Sequence, residues 1–180
     1  METIALFGGS FDPPHIGHKA IVKALQREVY IDKIIIMPTF LNPFKSSSHA
    51  SSELRFQWLQ IIFNDFTNVE ISDYEVKKGR AVTSLETVHH LLKRYKKIYL
   101  VIGADNLVSL KTWNNFKELN DLVTFIIAPR DDIEIPKHFI SLTIDEKISS
   151  SELRKDMKLS KIPKECAVEI KQHYKEKYEQ

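Results

Sequence analysis

Ile4-Ala5-Leu6-Phe7-Gly8-Gly9-Ser10-Phe11-Asp12-Pro13-Pro14-His15-Ile16-Gly17-His18 is the stretch from which the rest of the chain can be read. The apolar run Ile4 to Phe7 is short and unbroken, as a buried strand is, and Ala20, Ile21, Ala24 and Leu25 beyond it recur at helical spacing. The stretch therefore predicts a strand, a loop and a helix start. Gly8 and Gly9 let a ligand approach the backbone with no Cβ in the way, Pro14 suits a first helical turn, and the free N–H groups of that turn point outward. Such a place attracts phosphate. On a helix beginning here His15 and His18 share one face, with room left by Gly17, and two imidazoles beside free N–H groups make a phosphate clamp. Taken alone, the pair reads equally well as capping and packing. The string is neither a Gly-x-x-x-x-Gly-Lys loop nor a Gly-x-Gly-x-x-Gly dinucleotide fingerprint.

Outward from this stretch, strand and helix signals alternate. Lys33-Ile34-Ile35-Ile36-Met37-Pro38 predicts a second buried strand, stopped by proline. A long polar loop follows through Asn42, Pro43, Phe44 and Lys45 to Ser46-Ser47-Ser48, and long loops inside compact domains tend to be functional. Lys45 is its only cation, and composition alone favours a solvated side chain. Leu54, Trp58, Ile61 and Ile62 share a face of the next helix, with Ser52 as its N-cap. Val69 to Ser72 alternates as a short strand, the chain turns at Lys77-Lys78-Gly79-Arg80, and Leu85, Val88 and Leu92 mark another helix, with His89 and His90 at its surface or boundary.

Ile98-Tyr99-Leu100-Val101-Ile102 predicts a central strand that ends at Gly103-Ala104-Asp105. Ligands in open α/β sheets sit outside the carboxyl ends of strands, so Gly103 and Asp105 fall where a site belongs, although Asp105 also reads as a helix N-cap. Trp113, among Lys111, Thr112 and Asn114, suits stacking on a ring. Leu122 to Ala128 is a further strand, delivering Arg130 at its end either to the site or to Asp131 or Asp132. Ile140 to Ile144 is a last, edge-like strand. In Ile148-Ser149-Ser150-Ser151-Glu152-Leu153-Arg154 hydroxyls and a glutamate open a helix; capping accounts for one or two serines, not for three followed by Arg154. Pro163 begins a C-terminal helix whose apolar face, Ala167, Ile170, Tyr174 and Tyr178, covers the core. This alternation, with no repeat period, predicts an α/β fold with a doubly wound, mostly parallel sheet. Helix starts gather at one edge of such a sheet, so His15, His18 and Ser149 to Arg154 can face one ligand.

Composition narrows the function classes. The 180 residues suit one domain, with 28% charged and 43% apolar residues and a net charge of +2. That balance points neither to a nucleic-acid groove nor to a membrane surface. No apolar run approaches bilayer length and the N-terminus has no basic region followed by an apolar stretch, so the expected location is the cytoplasm. Cys166, the single cysteine, cannot form an internal disulfide and reads as a small buried residue.

Gly8 to His18 resembles the signature of the nucleotidyltransferase superfamily, whose His-x-Gly-His histidines bind a nucleotide triphosphate. Ile148 to Arg154 resembles its Ile-Ser-Ser/Thr-x-x-x-Arg segment, which closes over the phosphates of ATP. Over nearly its full length the chain is similar to the bacterial nicotinate-nucleotide adenylyltransferases, through these two motifs, the Pro43-Phe44-Lys45 loop, Arg55, Gly103-x-Asp105 with Trp113, and Arg130. The resemblance implies a Rossmann-like nucleotidyltransferase fold that joins ATP to nicotinate mononucleotide, giving deamido-NAD and pyrophosphate. It implies an ATP site of Gly8, Gly9, Ser10, Phe11, His15, His18, Gly103, Asp105, Ser149, Ser150, Ser151 and Arg154. On the acceptor side it implies Lys45, Thr83, Ser84, Asp105, Trp113, Asn114 and Arg130, with Trp113 stacked on the pyridine ring and backbone N–H groups holding its carboxylate. His15, His18, Lys45 and Arg154 are the implied catalytic groups. Magnesium is expected to travel with ATP, without a protein-built cage.

The chain departs from the family pattern in three places. Val82-Thr83-Ser84 stands before Glu86-Thr87-Val88 where Ser-Tyr-Thr before Asp-Thr-Leu is usual; Asn114 replaces an aromatic residue; and the loop reads Asn42-Pro43-Phe44-Lys45 in place of Pro-Pro-His-Lys. Phosphopantetheine adenylyltransferase is the nearest alternative, sharing both phosphate motifs, and a non-catalytic nucleotide-binding regulator is a second; cytidylyltransferases are more distant. Residues 148–180 are expected to form a helical portion closing over the phosphates. A homo-oligomer is left open, with no nucleic-acid or membrane partner expected.

Overall fold

Successive residues of β1 (Thr3–Gly9) are buried in two different cores. Ala5 and Phe7 pack with Val22, Leu25, Trp58 and Leu59, whereas Ile4 and Leu6 pack with Val88, Leu91 and Leu119. A strand buried on both faces belongs to a parallel sheet covered by helices on each side, which is why its sequence shows no polar alternation. The computed structural model of the protein describes residues 1–145 and 149–178; Ile148 and the side chain of Tyr178 lie outside the described residues.

The sheet has six strands in the order β3-β2-β1-β4-β5-β6, every neighbouring pair parallel. β2 is Lys33–Pro38, β3 Val69–Ile71, β4 Lys97–Gly103, β5 Thr124–Ala128 and β6 Ile140–Ser141. From β1 the chain winds outward through β2 and β3, then returns to start again at β4 on the other side of β1. That reversal opens a crevice at the carboxyl ends of β1 and β4, the place where such sheets bind ligands. Gly8 and Gly9 end β1 and Gly103 ends β4. The expected doubly wound α/β architecture is the observed one, with every described strand pair parallel.

The helices are α1 (Ile16–Leu25), α2 (Ser52–Ile62), α3 (Tyr74–Lys78), α4 (Ser84–Leu91), α5 (Phe116–Leu122), α6 (Ser150–Lys155) and α7 (Ala167–Tyr178). Several differ from the sequence expectation. α1 starts after His15, which occupies the N-cap with extended backbone, so Pro14 lies outside the helix and not in its first turn. Ser51, not Ser52, caps α2: its hydroxyl accepts from Leu54 N at 3.2 Å. The buried face of α2 is Arg55, Trp58, Leu59 and Ile62, while Ile61 is 49% exposed. α3 occupies the segment before the expected turn and is closed by Gly79 at φ 64°, a conformation glycine adopts without strain. α7 begins four residues beyond Pro163. Among the described residues no helix is long and apolar enough to cross a membrane.

Candidate active site

The phosphate loop between β1 and α1 is held in place by its own packing. Phe11 adopts φ 49°, unusual for a bulky residue, and its ring meets Phe7 edge-on at 5.3 Å and His18 at 4.7 Å. Gly9 makes this possible, because a Cβ there would lie 3.3 Å from the Phe11 ring. Phe11 thus supports His18 from beneath with a buried side chain.

His15 and His18 stand at the cap and the third residue of α1 with their rings stacked, centroids 3.7 Å apart. The backbone N–H of His15 donates to His18 Nδ1 at 3.1 Å, so that nitrogen is an acceptor and the His18 proton sits on Nε2. Both ring nitrogens of His15 are buried without a hydrogen-bond partner. Burial, followed by the Arg130 charge, pushes the His15 pKa down to about 3. Burial, then His15 and then Arg130, holds His18 well below its ordinary 6.5. At neutral pH both are uncharged imidazoles able to donate one N–H each.

Asp12 is the hub of this region, and sequence reasoning gave it no role. Its buried carboxylate accepts from His49 N at 2.6 Å, Ala50 N at 2.9 Å, His49 Nδ1 at 3.2 Å and the Tyr174 hydroxyl. Burial pushes its pKa up, but the Tyr174 hydroxyl, the two backbone donors and His49 together hold it below 3.8. One side chain thereby ties the phosphate loop to the end of the Lys45 loop and to α7. The C-terminal helix covers the core, as its apolar face predicts, and through Tyr174 it also braces the loop. Arg55 does the same from α2, donating to the carbonyls of Ala50, Ser10, Thr39 and Phe40 at 2.6 to 3.1 Å. The sequence does carry a signal for Arg55, an arginine three and four residues before Trp58 and Leu59 on the buried face of α2.

The serine-rich motif lies against the same loop from the far end of the chain. Ser149 caps α6 through Glu152 N at 3.1 Å. Ser150 Oγ donates to the Pro13 carbonyl at 3.0 Å, and Arg154 Nη1 donates to the Asp12 carbonyl at 2.6 Å.

At the end of β4, Asp105 sits in a short 3-10 turn and accepts from Arg130 Nη1 at 3.1 Å, so Arg130 pairs across two strand ends instead of with Asp131 or Asp132. Asp105 does not cap a helix here. A Cβ on Gly103 would come within 2.5 Å of Asp105 Oδ1, so any side chain there must push that carboxylate aside. Thr83 caps α4, accepting from Glu86 N at 3.3 Å. Trp113 is partly buried, its Nε1 unpartnered, with the exposed Phe44 ring 6.4 Å away. His89 pairs with Glu118 and His90 stacks on Tyr74, both outside the cavity. Cys166 is buried, with its thiol pKa pushed up to about 11 by burial and nearby Glu169 and Glu165.

A single cavity of about 560 Å3 collects these groups. Gly8, Gly9, Ser10, Phe11, His15, His18, Gly103, Asp105, Ser149, Ser150, Ser151 and Arg154 line it, and so do Lys45, Thr83, Ser84, Trp113, Asn114 and Arg130. Every residue assigned from the sequence to the ATP or acceptor side therefore faces one space, whereas Arg55 is not among its lining. A second cleft, about 630 Å3 between α2, α3 and α4, contains none of them. Among the described residues no three His, Cys, Asp or Glu side chains stand together as metal ligands. Of the carboxylates that line the cavity, Asp12 is held by its donors and Asp105 is paired with Arg130, and neither has two further ligands beside it, so these two do not fit a protein-held metal.

Fold and cavity together define a nucleotidyltransferase, and the cytidylyltransferase-like family model matches residues 6–156. Two relatives named probable nicotinate-nucleotide adenylyltransferase match almost end to end. The Sulfurimonas denitrificans protein is 63% identical over 178 residues, covering 99% of this chain and 98% of its own, and the Campylobacter fetus protein is 47% identical over 177 residues, covering 97% and 98%. The chain belongs to the nicotinate-nucleotide adenylyltransferase family. The fold is shared with the Plasmodium falciparum nicotinic acid mononucleotide adenylyltransferase complexed with NaAD, at TM-score 0.68 and 22% identity over 86% of this chain and 83% of that one.

Proposed function

We propose that this protein transfers the adenylyl group of ATP to nicotinate mononucleotide, forming deamido-NAD and releasing pyrophosphate. One observation carries the reading: Ser150 and Arg154 are latched to the Pro13 and Asp12 carbonyls, so the serine-rich motif lies beside the stacked histidines in one cavity. The names of the 63% and 47% identical relatives supply the acceptor.

The chemistry needs no general base. A nucleotide monophosphate has a second pKa of about 6, so at neutral pH it is mostly a dianion ready to attack. One of its oxygens forms a bond to the α-phosphorus of ATP while the bond from that phosphorus to the bridging oxygen breaks, and pyrophosphate leaves with the electron pair. Catalysis is then positioning and charge stabilisation. We assign His15 and His18, as neutral N–H donors, to the triphosphate, and Arg154 and Lys45 to neutralise charge as the leaving group separates. Ser151 and the backbone of Gly8 to Ser10 orient the phosphates, and Ser149 to Arg154, the part of the C-terminal portion that lines the cavity, lie over them. Asp105 is assigned to a ribose and Trp113 to the pyridine face, with the N–H groups at the start of α4 and near Asn114 on its carboxylate. A divalent cation accompanies ATP in this family's chemistry; we assign magnesium to the nucleotide's own phosphates, with no step routed through it.

Pyrophosphate release with ATP and, in parallel, nicotinate mononucleotide, nicotinamide mononucleotide or phosphopantetheine tests the reading. Turnover highest with nicotinate mononucleotide is expected. Preference for phosphopantetheine, or no release with any acceptor, would overturn it.

A further inference from the structure

α3 brings to the acceptor end of the cavity a carboxyl group for which the reaction above has no use. Glu75 is 6% exposed and shares a wall with Val82, Thr83 and Ser84. Its Oε1 accepts from Thr87 Oγ1 at 2.6 Å, whereas Oε2 is buried with no partner. Thr83, the N-cap of α4, stands one turn before Thr87, so the carboxyl bonded to Thr87 sits beside the helix start assigned to the acceptor's ring substituent. A buried oxygen left unpaired is costly unless a proton or a ligand satisfies it.

We propose that Glu75 is a specificity-determining residue: protonated, it donates its O–H to the carboxylate of the nicotinate ring, and ionised, it turns that carboxylate away. The inference rests on the acceptor assignment above. Two carboxylates in contact away from water cannot both stay ionised, while an uncharged carboxamide can donate its N–H to an ionised Glu75.

The surroundings keep the protonated form well populated at neutrality. Burial, opposed by the Thr87 hydroxyl and assisted by Glu86, pushes the Glu75 pKa up to about 7. Glu86, the charged group facing it from α4, is itself held by Arg80 and Lys78. On α3's own side Lys77 is paired with Asp73, and Tyr74 is stacked on His90. From α2 the guanidinium of Arg55 is committed to backbone carbonyls elsewhere. No cation that would hold Glu75 ionised is bonded to it among the described residues.

Acceptor KM at saturating ATP, measured from pH 6 to 8.5, tests this, with nicotinamide mononucleotide as substrate or competitive inhibitor serving as control for titration of the shared phosphate. KM for nicotinate mononucleotide should rise roughly tenfold between pH 7 and 8.5 relative to the constant for nicotinamide mononucleotide. Glu75→Gln, whose amide donates at every pH, should level that ratio across the range. A ratio independent of pH in the unaltered enzyme, or an unchanged rise in Glu75→Gln, would overturn the inference while leaving the acceptor assignment intact. Absence of turnover with nicotinate mononucleotide at every pH would instead sink the assignment on which it rests.

Discussion

The two ends of the cavity are built differently. Around the phosphates, the framework is densely bonded: Asp12 takes four donors, Arg55 gives four hydrogen bonds to carbonyls, and Ser150 and Arg154 lock onto the loop itself. The groups left unpaired there are the His15 imidazole and the Thr39 hydroxyl. Around the acceptor, the framework is thin. Trp113 Nε1 and Glu75 Oε2 are unbonded, Phe44 is 73% exposed, and the loop carrying Lys45 is held locally by Asn42, whose side chain and carbonyl accept from Phe44 N and Lys45 N, both at 2.9 Å. A triphosphate thus meets a preorganised surface, while the acceptor must complete part of its own pocket. Electrostatic catalysis profits most from the first arrangement, because donors fixed beforehand need no reorganisation during reaction.

Substitutions can break or sharpen that contrast. The largest effect is expected at the rigid end: His18→Ala should lower kcat by about 10² to 10³ with little change in acceptor KM, read by pyrophosphate release. Trp113→Ala at the open end should act in the opposite sense, raising acceptor KM by roughly 10- to 100-fold, the worth of one stacked ring, with kcat less affected. Tyr174→Phe leaves the Asp12 carboxylate short of one donor and should cost about 1–3 kcal/mol in a denaturant titration. It should also raise KM for ATP more than KM for the acceptor, since the brace ends at the phosphate loop.

Acid should loosen the phosphate end of the ligand-free protein. His15 is depressed to about 3 in the folded state from an ordinary 6.5, so between those values the unfolded chain binds a proton that the folded one refuses. Stability is unaffected above that window and falls on acidification through it, by at most about 1.4 kcal/mol per pH unit for His15. His15→Gln should flatten that slope in melts between pH 7 and 5. Smallest of all, Gly103→Ala displaces Asp105 from Arg130 and should change stability by about 0.2–1 kcal/mol, the range of an exposed pair, while weakening nucleotide binding measurably by titration.

The same contrast governs how much could be read from sequence. Strands buried on both faces write themselves as unbroken apolar runs, so β1, β2, β4 and β5 and the order of elements were legible. Part of the cavity lining was legible too: Gly8, Gly9, His15, His18, Gly103, Arg130 and Ser149 to Arg154 lie at strand ends and helix starts where glycine, histidine, serine and arginine interrupt apolar patterns, whereas Lys45, Thr83, Ser84 and Asn114 were reached only through the family resemblance. What was not legible is the bracing. Asp12 stood inside the quoted motif, but its partners His49, Ala50 and Tyr174 are 37 to 162 positions away, and no local pattern encodes such a contact. α3 is too short for periodicity to declare it, so Glu75 fell in a stretch read as leading to a turn. At α2 the apolar Ile61 drew the face one position round, while Arg55, polar yet buried, was the true inward residue.

The central claim is that groups from both ends of the chain converge on ATP so that an already ionised phosphate displaces pyrophosphate. Its most direct test is single-turnover pyrophosphate release by His18→Ala, Arg154→Ala and the double variant, at saturating ATP and nicotinate mononucleotide. If the two side chains act on one triphosphate, each single variant is slowed by orders of magnitude and the double variant by less than the product of the two losses. Undiminished turnover in either single variant, or fully multiplicative losses, would contradict it.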